Sequence, residues 1–176
     1  MYALEIRPVV LADVPAINQI YSESVLTWTA SWELTPPDDA EMTKRMQSIL
    51  SQGYPYVVGI VEDRLVGYSY ASSYRARPGY RFTVENSIYI DPAYQRRGIA
   101  RALMQHVIDA CAARGYRQMV AVIGDSENHA SIALHESLGF TKVAVLPNLG
   151  FKFGRWLDSV MMQRALGEGG TTLPVE

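Results

Sequence analysis

The sequence predicts a mixed α/β domain, with one central, mostly antiparallel sheet flanked by helices. Three observations predict it. The periodicity along the chain runs strand, helix, helix, a series of strands, then helix, strand, helix and two strands. The first strands follow one another through tight turns, which join antiparallel neighbours, and a later strand–helix–strand unit supplies one parallel crossover. The chain has 176 residues, enough for one sizeable core and too few for two. A single domain over residues 1–166 is expected, with a flexible glycine-rich tail over 167–176.

Ile6 and its neighbours read as a short first strand. Asp13 offers a helix cap, with Pro15 in the first turn and Val14, Ile17, Tyr21 and Val25 at helical spacing. Residues 27–37, rich in Trp, Thr and Pro, read as a loop. Asp38 opens a second helix, with Met42, Met46, Ile49 and Leu50 on one face, ending near Gly53. From Tyr56 the period becomes that of strands: Tyr56 to Val61, a tight turn at Glu62-Asp63-Arg64, then Leu65 to Ala71. Phe82 to Ile90 alternates, with Val84, Asn86, Ile88 and Ile90 on one face and Glu85, Ser87 and Tyr89 on the other. Asp91-Pro92 stops that strand. A helix from about Gly98 carries Ile99, Leu103, Val107 and Ala110 inward. Gln118 to Ile123 is the clearest buried strand. Asn128 caps a helix with Ile132, Leu134 and Leu138, which Gly139 ends. Two strands, about Phe140 to Leu146 and Ser159 to Arg164, bracket the Gly150–Trp156 region.

Composition narrows the function. Lys and Arg number 16 against 18 Asp and Glu, so neither nucleic acid nor an anionic membrane is an expected partner. The apolar runs are far shorter than the ~18 residues that span a bilayer. The N-terminal residues are charged and unlike a signal peptide, so a cytoplasmic protein is expected. One cysteine, Cys111, excludes an internal disulfide and any multi-cysteine metal site, and no metal is expected. Against this near-neutral background, residues 75–101 hold six arginines and two acids. A local basic patch of that size suits a small polyanionic ligand. Tyrosine is abundant, 11 against 4 Phe, and its hydroxyl suits a wet cleft.

The segment Gln95-Arg96-Arg97-Gly98-Ile99-Ala100-Arg101 joins a strand to a helix. A helix N-terminus offers unpaired N–H groups and the positive end of its dipole. Small Gly98 and Ala100 let a ligand approach the backbone, and the arginines add charge, so a pyrophosphate would fit. The segment is neither a Walker loop, lacking Gly-Lys-Ser/Thr, nor a dinucleotide fingerprint, having one glycine of three. Spacing alone equally allows a plain turn before an amphipathic helix.

Gln-x-x-Gly-x-Ala after Ile88-Tyr89-Ile90-Asp91-Pro92 resembles the acetyl-CoA pyrophosphate loop of the GNAT superfamily of N-acetyltransferases. The stretches Phe82 to Ile90, Val120 to Ile123, Asn128 to Ser131, Leu134 to Phe140 and Lys152 to Asp158 resemble its phosphinothricin and methionine sulfoximine branch. The resemblance covers roughly Ile6 to Arg164.

That resemblance implies a splayed strand pair holding acetyl-CoA. Backbone amides of Arg96, Arg97, Gly98, Ile99, Ala100 and Arg101 would hold the pyrophosphate, and Ile88, Tyr89 and Ile90 would pair with the pantetheine arm. Asn128, and more weakly Ser131, would bond the same arm; a plain helix cap is the alternative for Asn128. Glu85 would remove the amine proton, directly or through water, against the alternative of a solvent-facing strand glutamate. His135 stands where many relatives carry a tyrosine acid, and would protonate the leaving thiolate, relay a proton or serve only structure. A backbone N–H near Tyr89 or Ile90 would polarise the thioester. Arg75 first and Arg77 second would bind a substrate carboxylate, with Tyr80, Phe82, Trp28 and Thr29 walling the pocket. Cys111 reads as packing, so transfer is expected to be direct, in a ternary complex.

The expected function is therefore acetyl-CoA-dependent acetylation of the α-amino group of a small amino acid analogue: phosphinothricin, methionine sulfoximine or methionine sulfone. The alternatives are another amine, namely a protein N-terminus, a lysine or a polyamine, or a non-catalytic CoA-binding module. A homodimer is expected by analogy.

Overall fold

The computed structural model describes residues 3–174; Met1, Tyr2, Val175 and Glu176, the last two in the expected tail, lie outside the described residues. Its elements are β1 (Glu5–Pro8), α1 (Val14–Thr27), α2 (Asp39–Ser51), β2 (Tyr56–Val61), β3 (Arg64–Ser73), β4 (Thr83–Ile90), α3 (Ile99–Ala113), β5 (Gln118–Gly124), α4 (His129–Ser137), β6 (Thr141–Lys152) and β7 (Arg155–Ala165). The seven strands form one sheet in the order β1-β2-β3-β4-β5-β7-β6. Every pairing is antiparallel except β4 with β5, which α3 connects as a crossover. The predicted mixed sheet with one parallel unit is what forms.

Local chemistry explains the element boundaries. Glu62 and Asp63 both take positive φ, 49° and 61°, the geometry of a tight hairpin turn whose twist matches the flanking strands. The Asp38 carboxylate accepts from the Glu41 amide at 2.8 Å and starts α2. Asn128 does the same for α4, accepting from the Ser131 amide at 3.2 Å. Asp13 departs from its predicted role. Its side chain makes no cap bond to α1 but takes two 2.8 Å bonds from Arg7 and one from the Val10 amide. A charged partner and the preceding turn outcompete the helix amides for its oxygens.

Alternation in the strands sorts the core onto the two sheet faces. Ile99, Leu103, Met104, Val107, Ile108 and Cys111 of α3 pack with Val84, Ile88 and Ile90 of β4 on one face. Ile17, Tyr21 and Val25 of α1 and Met42 and Met46 of α2 pack with Tyr56, Tyr68, Tyr70 and Tyr89 on the other. Leu50, expected on the inner face of α2, is exposed, because successive four-residue steps from Met42 and Met46 rotate it away from the core, where Ile49 packs instead. Burying a side chain such as Leu103 contributes roughly 1.5–3 kcal/mol.

The last third differs from the reading by sequence. The Gly150–Trp156 region is itself strand: β6 and β7 form one long hairpin that turns at Phe153 and Gly154, with φ 53° and 73°. Shifts in register at Lys142/Ala144 and Leu146/Gly150 explain why the alternation was lost. The expected tail is held as far as it is described. Arg117 donates to the Thr172 hydroxyl at 2.9 Å and to the Leu173 carbonyl at 3.0 Å.

Candidate active site

Pairing between β4 and β5 stops early. Thr83, Val84 and Glu85 face Gln118, Met119 and Val120, and no pair follows, although β4 stays paired to β3 as far as Ile90. Beyond Glu85 the two strands part and leave one edge of β4 open. Alternation decides which amides face that gap. The Asp91 N–H donates to Val66 of β3, and the Ser87 carbonyl accepts from Ser69 of β3, so odd residues face β3. The Phe82 carbonyl accepts from Arg117 and Gln118, on the β5 side. Even residues therefore face the gap, and the open N–H and C=O groups belong to Ile88 and Ile90. Tyr89 turns its amide to β3 and its ring into the tyrosine cluster, 5.1 Å from Tyr21 and 5.3 Å from Tyr68.

A cleft of about 300 Å³ passes through this gap. Glu85, Ser87 and Tyr89 line it together with Tyr21, Tyr70 and residues 30–33 from the α1/α2 face. Asn86, Ile88, Asn128, Ser131 and His135 line it from the α3/α4 face, and residues 121–124 of β5 form the far wall. At the end of the open edge, Asp91 accepts from the Ala93 amide at 2.9 Å and pairs with Arg64 at 2.8 Å. Arg64 and Arg97 stand over the Tyr94 ring, at 5.6 and 5.0 Å. Arg96 and Gly98 take positive φ, 59° and 81°, turning the chain so that α3 starts with its first-turn amides unpaired within the helix. Ile99 buries its side chain and offers only backbone there. An open strand edge, a slot beside it and a helix N-terminus flanked by Arg96, Arg97 and Arg101 fit an extended thioester carrier with a pyrophosphate.

The acid–base candidates occupy opposite faces. Burial pushes the Glu85 carboxyl above its ordinary pKa, so it is a stronger proton acceptor when ionised. His135 is 2% exposed, and burial pushes its pKa down, only partly offset by the Ser131 carbonyl. Its Nδ1 lies 2.7 Å from that carbonyl, which can only accept, so Nδ1 carries the hydrogen. The neutral ring then accepts at Nε2 from the Asn86 carboxamide, 3.1 Å away. In this state Nε2 has no proton to give.

The substrate side differs from expectation. Arg75, Arg77, Tyr80, Phe82, Trp28 and Thr29 do not line the cleft. Arg75 stacks on Tyr74 and Tyr80, at 5.2 and 5.8 Å, in the exposed β3–β4 connection, and Phe82 lies under Arg81 at 4.7 Å. Trp28 and Thr29 hold the loop by backbone and hydroxyl: the Trp28 carbonyl accepts from Lys152 at 2.9 Å, and the Thr29 hydroxyl donates to Gly124 at 3.3 Å. Their neighbours Ser31, Trp32 and Glu33 reach the cleft instead. Tyr21 and Tyr70 also line the cleft, as the tyrosine excess suggests without naming them, whereas sequence reasoning missed the three loop residues. The one available signal was a Trp-Glu pair in an otherwise Thr- and Pro-rich loop. Lys152 was missed as well. It is buried, with Nζ also 2.8 Å from the Ser31 carbonyl, so the β6–β7 hairpin ties down the loop that walls the cleft.

Comparison with known proteins accounts for this architecture. Residues 17–140 match the model of the acetyltransferase (GNAT) family. The chain belongs to the GNAT family. It is 48% identical over 172 residues to a phosphinothricin N-acetyltransferase of Alcaligenes faecalis, covering 98% of this chain and 87% of the relative. It is 41% identical over 157 residues to an L-methionine sulfoximine/L-methionine sulfone acetyltransferase of Salmonella typhimurium, covering 89% and 91%. A crystal structure of a GNAT superfamily phosphinothricin acetyltransferase from Sinorhizobium meliloti, in complex with AcCoA, superposes with a TM-score of 0.96 at 48% identity, covering 98% of this chain and 94% of that one. As a GNAT enzyme the protein is an acetyl-CoA-dependent N-acetyltransferase. Among the described residues, no cluster of three or more His, Cys, Asp or Glu is placed to hold a metal, and no helix is long and apolar enough to cross a membrane.

Proposed function

We propose that this GNAT enzyme acetylates the α-amino group of a small amino acid analogue of the phosphinothricin and methionine sulfoximine type. The observation that carries the reading is the position of Glu85: it is the last β4 residue paired to β5, and its side chain enters the cleft on the face opposite His135. Acetyl-CoA supplies an activated thioester. Ile88 and Ile90 offer the open backbone edge to its arm, the amides of residues 96–101 take the pyrophosphate, and Asn128 and Ser131 face the slot. The Ile88 and Ile90 N–H groups, not that of Tyr89, are aimed to polarise the carbonyl. Glu85, on the face walled by Tyr21, Tyr70 and residues 30–33, removes the amine proton directly or through one water. His135 enters the reaction as a neutral imidazole and carries a proton only after accepting one.

A cytoplasmic setting, resistance to such analogues as the outcome and a homodimeric state belong to the same reading. The β6–β7 hairpin supports the dimer: Val143, Leu149, Phe151, Phe153 and Trp156 are all more than half exposed on it, and the Phe151 and Trp156 rings meet at 5.3 Å. An acceptor screen with acetyl-CoA and detection of free thiol tests the activity. Turnover with phosphinothricin, methionine sulfoximine or methionine sulfone supports it. Turnover confined to peptides, lysine or polyamines, or tight acetyl-CoA binding with no turnover at all, overturns it. Light scattering reads the oligomeric state, and a monomer at micromolar concentration removes the dimer.

A further inference from the structure

Asn86 is the first β4 residue past the last β4–β5 pair, and it is 8% exposed. Its carboxamide crosses from β4 to α4 and bonds the Nε2 of His135 at 3.1 Å. The other end of that carboxamide, Oδ1, is buried with no hydrogen-bond partner. A buried amide oxygen left unpaired costs roughly 1–3 kcal/mol, so its retention calls for an explanation. The groups facing the imidazole are this carboxamide from β4, the Ser131 carbonyl and hydroxyl within α4, and the Phe140 ring, 5.1 Å away, just before β6. None is charged. Ser131 already fixes the proton on Nδ1, so any second proton must go to Nε2. There Asn86 now presents an N–H, which would face the new N–H head on. Rotating the carboxamide by half a turn replaces that clash with Nε2–H donating to Oδ1.

We propose that Asn86 is a positioning residue for acetyl transfer, braced across the strand gap, whose carboxamide presents Nδ2 to neutral His135 and turns its unpartnered Oδ1 to the same nitrogen when His135 accepts a proton from the cleft. The proton that leaves the cleft group appears on Nε2, and no other bond changes. The carboxamide thereby stabilises both protonation states of a histidine that no neighbouring charge supports, and it keeps the ring in one orientation throughout. The role of His135 in turnover rests on the reading above, but its response to Asn86 does not.

Two variants and two readouts test this. Nitrogen-detected NMR of the histidine rings, with His135 assigned by its loss in His135→Gln, reads tautomer and titration without any substrate. Wild type should show the Nδ1–H tautomer at pH 7. Asn86→Asp should keep His135 doubly protonated to a pH at least one unit higher, because a carboxylate accepts from Nε2–H without rotating. Asn86→Leu, which fills similar volume without either polar end, should protonate at least one unit lower. In steady-state kinetics Asn86→Leu should lose at least tenfold in kcat with the KM for acetyl-CoA within twofold, and the acid limb of the Asn86→Asp profile should move with the NMR titration. Unchanged His135 titration in both variants overturns the proposal, even if turnover falls. Shifted titration with wild-type kcat in both overturns the role in transfer. If the screen above finds no acceptor, the NMR result still decides whether Asn86 governs His135. Asn86→Asp remains informative should Asn86→Leu fail to fold.

Discussion

Glu85 and Val120 form the last rung between β4 and β5, so the residue that closes the ladder also carries the carboxylate that enters the cleft. The strand pairing that ends there fixes Glu85 in place, and the parting of the strands just beyond it makes the cavity.

Glu85→Gln should therefore lose about 10²- to 10⁴-fold in turnover at neutral pH, the range of a lost general base. The same variant should melt at a higher temperature at pH 7. A carboxyl with a raised pKa in the folded state costs stability when ionised, and the cost vanishes as pH falls below its ordinary value. The gain in melting temperature over wild type should therefore shrink toward pH 4. Equal melting at pH 7, measured by calorimetry, would remove the burial argument.

Lys152→Met should loosen the loop that walls the acceptor side. It leaves the carbonyls of Trp28 and Ser31 without a donor, at a cost of about 1–3 kcal/mol. Gly124→Ala should act on the same loop from the other side, since its Cβ would come within 2.0 Å of the Thr29 carbonyl oxygen. In both variants the acceptor KM should rise several-fold while the KM for acetyl-CoA holds. A parallel rise in both constants would place the loop elsewhere in function.

Gly98→Val should weaken acetyl-CoA binding. No neighbour lies within 4 Å of a Cβ there, so the cost is backbone strain at φ +81°, about 1–2 kcal/mol. Because that φ aims the first amides of α3, calorimetric titration with acetyl-CoA should show at least tenfold weaker binding. Gly98→Asn, whose residue tolerates this conformation, should recover most of it.

Cys111→Ala should keep full activity. The thiol is buried in α3 and its pKa is pushed up to about 12, so it holds no thiolate at neutral pH. Mass spectrometry of enzyme quenched during turnover should find no acetyl group on Cys111, as direct transfer requires.

Much of this was legible in the sequence for physical reasons. Period-two alternation from Phe82 to Ile90 placed Glu85 and Asn86 on opposite faces, and Asn128 capped its helix through a bond that spans three residues. Loops and long-range tethers were less legible. Trp32 and Glu33 reach the cleft from a loop whose Trp28 and Ser31 carbonyls are held by Lys152, some 120 residues away, and no local pattern encodes that contact. The β6–β7 hairpin was cut short in the reading because its register shifts break the alternation on which strand recognition depends.

The sequence by itself determined the order of elements, the mixed sheet, the glycine turn before α3 and the identity of the groups able to move protons, since each follows from spacing or side-chain chemistry over a few residues. Only the tertiary structure decided which of those groups meet. It set where β4 and β5 part, gave the open edge to Ile88 and Ile90 rather than Tyr89, and fixed His135 as a neutral ring held by Asn86. Those outcomes depend on strand register and on contacts between distant segments, which the burial of a shared core fixes only when the whole chain has folded.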